Sequence, residues 1–159
     1  MAVDIKATFH DYQVQRFLSN VKERLKNVEN GQNKFVGLMS AIVFKDVMDH
    51  FKNEEGSKGP WKSWSNSYKK YLNKIGRSGN KILQFDGTLR QSFKPTNAKF
   101  SNKGLVWFNN AKTQSGFPYA FAHNEGGRIL PQRDFMWLSD EALEKVSVQT
   151  LQFMIDEGI

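Results

Sequence analysis

"FVGLMSAIVFKDVMDHF", residues 35–51, sets Val36, Leu38, Met39, Ala41, Ile42, Val43, Phe44, Val47 and Met48 around more than one side of a helical projection. An α-helix repeats every 3.6 residues, so a surface helix needs only one apolar stripe, and a wider apolar arc marks a helix covered on several sides. The stretch predicts the central rod of the fold. Upstream, Val14, Phe17, Leu18, Val21, Leu25 and Val28 recur at three- and four-residue steps among Lys22, Glu23, Arg24 and Lys26, an amphipathic helix ending near Gly31. Downstream, "NEEGSKGP" (53–60) brings Gly56, Gly59 and Pro60 together with charges. Such a segment has little to pack, and a flexible loop that orders against a partner is expected.

"WKSWSNSYKKYLNKIG" (61–76) returns to helical spacing, with Trp64, Tyr68, Leu72 and Ile75 on one face and Lys62, Lys69, Lys70 and Lys74 mostly elsewhere. An aromatic stripe of this kind normally enters a core while its lysines are solvated. The alternative is a DNA-binding module, in which rings meet bases and ammonium groups meet phosphates. "TLRQSFKPTNAKF" (88–100) and "GLVWFN" (104–109) suggest two antiparallel strands turning through "SNKG", on the strength of Leu89, Phe93, Val106, Trp107 and Phe108. The second strand is apolar on both faces, as in a central strand or one covered by a neighbouring subunit. Ser139 is a plausible N-cap, with Asp140 and Glu141 in the first turn of a last helix through Leu143, Val146, Leu151 and Phe153. The expectation is one α+β domain over 1–159, a small antiparallel sheet packed against long helices.

Composition narrows the function classes. The 159 residues are 39% hydrophobic and 13% aromatic, enough to build a core without staples, and there is no cysteine for disulfides or thiolate sites. "MAVDIKATFHDYQ" has no export signal, and no apolar run is long enough to span a membrane. The net charge of +7 suits a polyanionic partner only weakly, because 16 acidic residues are interspersed with 23 basic ones. His10, His50 and His123 stand far apart, no phosphate loop, dinucleotide fingerprint or nucleophile elbow occurs, and Asp86 and Asp134 each lack a second carboxylate at a useful spacing. His123 near Glu125 reads as a hydrogen-bonded structural histidine rather than a general base. No catalysis, cofactor or metal is expected.

Four motifs in order carry a resemblance: "GPWKSWSNSYKKY", "ILQFDGTLRQSF", "YAFAHNEGG" and "PQRDFMWLSDEAL". Together, over about residues 45 to 155, they resemble the phage virion morphogenesis family, the tail-completion proteins of Mu-like and related tailed phages. The Phe85-Asp86-Gly87-Thr88-Leu89 order, Asn124-Glu125 and "MWLSDE" depart from that family's usual pattern. The resemblance implies a structural virion protein of the neck or tail end, assembled in the host cytoplasm, acting in tail completion or head-tail joining. Its partners would be copies of itself or neighbouring neck and tail proteins, in a ring that the resemblance makes a hexamer, with nucleic acid met at most non-specifically and no membrane. On this view Pro118, Gly126 and Gly127 turn the chain, Tyr119, Phe121 and Phe135 anchor it against the sheet, and Arg128 and Arg133 pair with carboxylates of the same or an adjacent subunit. The expected interface is Trp61, Trp64, Trp107, Tyr119, His123, Arg128, Arg133 and Phe135.

Overall fold

Helix α1 (Lys34–Asn53) is the axis, and Met39, Val43, Val47 and Phe51 line its buried stripe at successive four-residue steps. The computed structural model describes residues 16, 18–23, 26, 34–101, 104–107 and 111–155, with the backbone alone for 97–101, 104, 105 and 107. Residues 16, 18–23 and 26 are helical, as the amphipathic pattern predicts; Val14, Phe17, Leu25 and Val28 lie outside the described residues. The buried face of α1 is narrower than its composition suggested, since Leu38 and Ala41 are exposed. The core gathers Val43, Val47, Phe51, Trp61, Ile82, Leu89, Phe93 and Phe135. Phe51 stands at its centre, edge-on to Trp61 with ring centroids 5.7 Å apart and tilted against Phe135 at 5.1 Å. Burying one such ring contributes about 1.5–3 kcal/mol.

The last carbonyls of a helix lack intrahelical donors. At the end of α1, Gln84 Nε2 donates to the Phe51 carbonyl (2.8 Å) and Lys81 Nζ to that of Lys52 (2.7 Å). The chain then reverses in a hairpin of β1 (Glu55–Gly56) and β2 (Gly59–Pro60), closed by the Trp61 N–H donating to the Glu54 carbonyl at 2.7 Å. The segment expected to be a loose loop is thus a paired turn docked on "PQRDF". Asp134 accepts the Ser57 N–H through Oδ2 and the Trp61 indole N–H through its carbonyl, both at 2.9 Å. Gly56 is buried there, and a Cβ on it would stand 2.2 Å from Asp134 Oδ1. Gly56→Ala is therefore expected to displace the carboxylate and cost about 1.5–3 kcal/mol, the scale of one lost charged hydrogen bond. Denaturant unfolding reads this directly, and an unchanged midpoint would mean that Asp134 does not hold the hairpin.

Helix α2 (Asn66–Lys74) is capped by Ser65, whose Oγ accepts the Tyr68 N–H. Of its expected aromatic stripe only Leu72 is buried; Tyr68 and Ile75 are exposed, and Trp61, which precedes the helix, fills the core instead. Thr88–Ser92, expected as strand, is a short helix, α3. Asp86 Oδ1 accepts the Thr88 N–H at 2.9 Å and starts the turn, and Leu89 and Phe93 bury themselves together. The strands that do form are β3 (Ala98–Ser101) and β4 (Gly104–Trp107), antiparallel as expected, with Ala98 opposite Trp107 and Ser101 opposite Gly104; Asn102 and Lys103 of the expected turn, and Phe108, lie outside the described residues. Among the described residues β4 pairs with β3 alone and Val106 is exposed, so no central strand is seen there.

Helix α4 (Tyr119–Glu125) occupies what was read as turn, between Pro118 and Gly126. Helix α5 (Asp140–Ile155) follows, with Ser139 Oγ accepting the Ala142 N–H as its cap. Asp46 of α1 accepts both the N–H and the hydroxyl of Ser139, fixing the start of α5 on α1, and Phe35 stacks on Phe153 at 4.5 Å near the other end. Helices with two small antiparallel hairpins make the architecture α+β.

Candidate functional site

The segment 123–136 is closed on itself by main-chain and side-chain bonds and is tied to the body through Arg133. The Arg133 N–H donates to the His123 carbonyl at 2.8 Å, and Asn124 Oδ1 accepts the N–H groups of Phe135 (3.1 Å) and Met136 (3.0 Å). Arg133 is buried, and its Nε and Nη2 both donate to the Lys62 carbonyl, at 3.0 and 2.9 Å. A guanidinium offers a rigid fork of donors, and here the fork closes on the chain's own backbone. The expected partner, a carboxylate of the same or an adjacent subunit, is replaced by this backbone carbonyl, and Arg133 is buried rather than offered at a surface. Phe135 and Trp61 are likewise buried in the core rather than exposed. Phe121, expected as an anchor, is exposed. Trp107 lies in β4, and its side chain is outside the described residues.

The remaining expected residues do converge. Trp64, Tyr119, His123 and Arg128 line one open cleft of about 1290 Å³, joined by Tyr68, Phe85, Lys62, Lys69 and Lys112. Trp64 is half-buried and sits edge-on to Tyr68 at 5.8 Å, and Tyr68 leads to Tyr71 at 5.9 Å, so a row of rings runs from the cleft along α2. Lys62, Lys69, Lys112, Arg128 and Arg133 bring positive charge, against Asp86 as the lining carboxylate. The hydrogen bonds that Asp86 accepts from Thr88 hold its carboxyl below the usual range, so that group is anionic at neutral pH. Burial, then the nearby Asp86, raises the Tyr119 phenol, which stays a neutral donor. Asp86 and Lys112 entered no earlier reading as cleft residues, because only the fold brings 62–69, 83–89 and 112–133 to one concavity.

His123 has no hydrogen bond to Glu125, whose carboxylate takes the Asn124 amide instead, and its buried Nδ1 has no partner. Burial first and Arg133 second lower its pKa from the usual 6.5. A histidine depressed in the fold favours the native state while neutral. Its contribution is complete above the unfolded pKa and is lost as pH falls through that value toward the folded one. His123→Gln is expected to flatten the decline in melting temperature as pH falls below about 6.5. An equally steep decline in the variant would show that His123 is not responsible.

Among the described residues no three His, Cys, Asp or Glu side chains converge on a metal position, and no helix is long and apolar enough to cross a membrane. No family model, curated protein or solved structure matches the chain.

Proposed function

We propose that the chain is a structural virion protein of a tailed phage, acting in tail completion or head-tail joining as part of a ring. The order of its four motifs supports this reading, and the observation that carries it here is Ile129. That side chain is 95% exposed at the tip of a loop whose base is rigid, with the Gly127 N–H donating to the Leu130 carbonyl at 2.8 Å and Arg133 buried behind it. A lone exposed apolar residue is ordinary, but a held knob beside exposed Arg128 has the form of an interface anchor. Val148, Leu151 and Ile155 add a second apolar stripe on the outer face of α5. Two separate patches fit a heterologous ring contact better than a two-fold dimer, in which each copy uses the same patch.

Ile129→Asp is expected to weaken assembly at least about tenfold, roughly 1.4 kcal/mol, while stability moves by no more than about 0.5 kcal/mol. Sedimentation of the purified protein, with recovery of joined heads and tails, separates the two effects. A wild-type chain that stays monomeric at high concentration and is missing from particles would end this reading.

The second reading, DNA binding through 61–74, draws on one observation: Tyr68 and Tyr71 are exposed, on a helix carrying Lys69, Lys70 and Lys74. A salt titration of duplex binding tests it, since phosphate contacts release counterions and affinity then falls steeply with salt.

A further inference from the structure

We infer that the cleft is a site for single-stranded nucleic acid, bases lying against Trp64 and Tyr68 and phosphates meeting Lys62, Lys69, Lys112 and Arg128. The inference rests on the nucleic-acid reading of the α2 segment and narrows it to one face and one form of ligand. Three observations carry it. The volume, about 1290 Å³, exceeds the ~300–1,000 Å³ usual for small-molecule pockets and is open, as an extended polymer requires. The cations come from three separate stretches of chain yet face one concavity, whereas a merely solvated charge run stays on one segment. The rings at positions 64, 68 and 71 continue the cleft along α2 with centroid spacings of 5.8 and 5.9 Å, a platform beside which a strand can travel.

The rings decide between ligands. A duplex buries its base faces, so it would use the lysines and leave Trp64 and Tyr68 idle. An acidic peptide likewise answers the charge alone. Unpaired bases present a π-face to each ring while their phosphates meet the ammonium groups, and every base has such a face, so little sequence preference is expected. Tyr68 is exposed and not a core residue, so its removal tests stacking without opening the core.

The test is fluorescence anisotropy with a labelled oligothymidine of about 12 nucleotides, inside the ~4–16 nucleotide range of such sites. The same sequence as a duplex and a polyglutamate peptide serve as competitors. Saturable binding is expected, with log K falling against log salt at a slope of about −2.8 if four phosphates are met at ~0.7 each. The Lys69→Glu, Lys112→Glu double variant should lessen that slope by at least about 1.4. Tyr68→Ala should weaken binding about fivefold or more with the slope unchanged, the size of one lost stack. Circular dichroism of each variant establishes that it is folded. If the duplex binds as well as the single strand and Tyr68→Ala changes nothing, the cleft assignment is wrong and DNA binding by α2 stands. If polyglutamate displaces the oligonucleotide equally well, the site is a general anion surface and the inference fails. Absence of binding to either form of DNA removes both.

Discussion

Arg133→Ala is expected to lower stability by about 3 kcal/mol, or ~6–12 °C in melting temperature for a chain of this size. Its Nε and Nη2 share the Lys62 carbonyl, so the two bonds are lost as a unit rather than additively. A charged donor to a buried carbonyl contributes about 1.5–3 kcal/mol, and the removed stem leaves a gap beneath the 126–131 loop. Lysine should restore little, because a single ammonium point cannot reproduce the fork. The effect should also spread to the cleft, since Lys62 and Arg133 both line it. Thermal melts of Arg133→Ala and Arg133→Lys decide the matter. A loss below about 1 kcal/mol for alanine would return Arg133 to the class of ordinary surface arginines, where substitutions usually fall within about 0.5 kcal/mol.

Arg133 also marks where reading the chain alone stops. "PQRDF" contains an arginine and an aspartate, and nothing local says that both look inward. The Lys62 carbonyl is 71 residues away and Ser57 is 77 away from Asp134. Asn124, which organises the same turn by accepting two N–H groups, has no local signature either. The cap of α5 was half legible: Ser139 with Asp140 and Glu141 is a local pattern, whereas Asp46, 93 residues away, is not. Features set by local spacing came through. α1 was legible in its dense apolar run, though not its one-sided stripe of Val43, Val47 and Phe51, and the antiparallel pairing of β3 with β4 was legible in the apolar residues of 98–107.

The misread helices have a different cause. Leu89 and Phe93 lie four residues apart, a spacing that puts both on one side of a helix and also on one side of a strand. The deciding residues were Asp86 and Gly87, which begin a turn at Thr88. For α4, the signal was Pro118 before and Gly126 after "YAFAHNE", the usual asymmetry of helix ends. Aromatic residues there drew attention to docking and away from the caps. In the candidate interface, chemistry was legible but direction was not. Trp64, Tyr119, His123 and Arg128 share a cleft, while Trp61, Arg133 and Phe135, of equally suitable type, hold the body that shapes it.

Gly126→Ala and Gly127→Ala are expected to differ sharply although the residues are adjacent. Gly126 has φ 72° and ψ −169°, a region open essentially to glycine alone, and a side chain forced there costs about 1–3 kcal/mol. A Cβ would also stand 2.8 Å from the Gln132 nitrogen and 2.9 Å from its Cα. These are backbone atoms, fixed by Arg133 and Asn124 a residue or more beyond, so the clash cannot be relieved by rotating a side chain. Overpacking of this kind adds about 1–3 kcal/mol, and the total loss should be about 2–6 kcal/mol. At Gly127 the added Cβ meets nothing within 4 Å, and no left-handed backbone is required. Its alanine variant should stay within about 0.5 kcal/mol of the parent and should retain the Ile129 knob in place. Urea unfolding of the two variants provides the comparison. Equal losses would show that the loop is not set by the approach of Gly126 to Gln132. A large loss at Gly126 alone would show that the rigidity of the loop, which both the assembly surface and the cleft depend on, begins at that crossing.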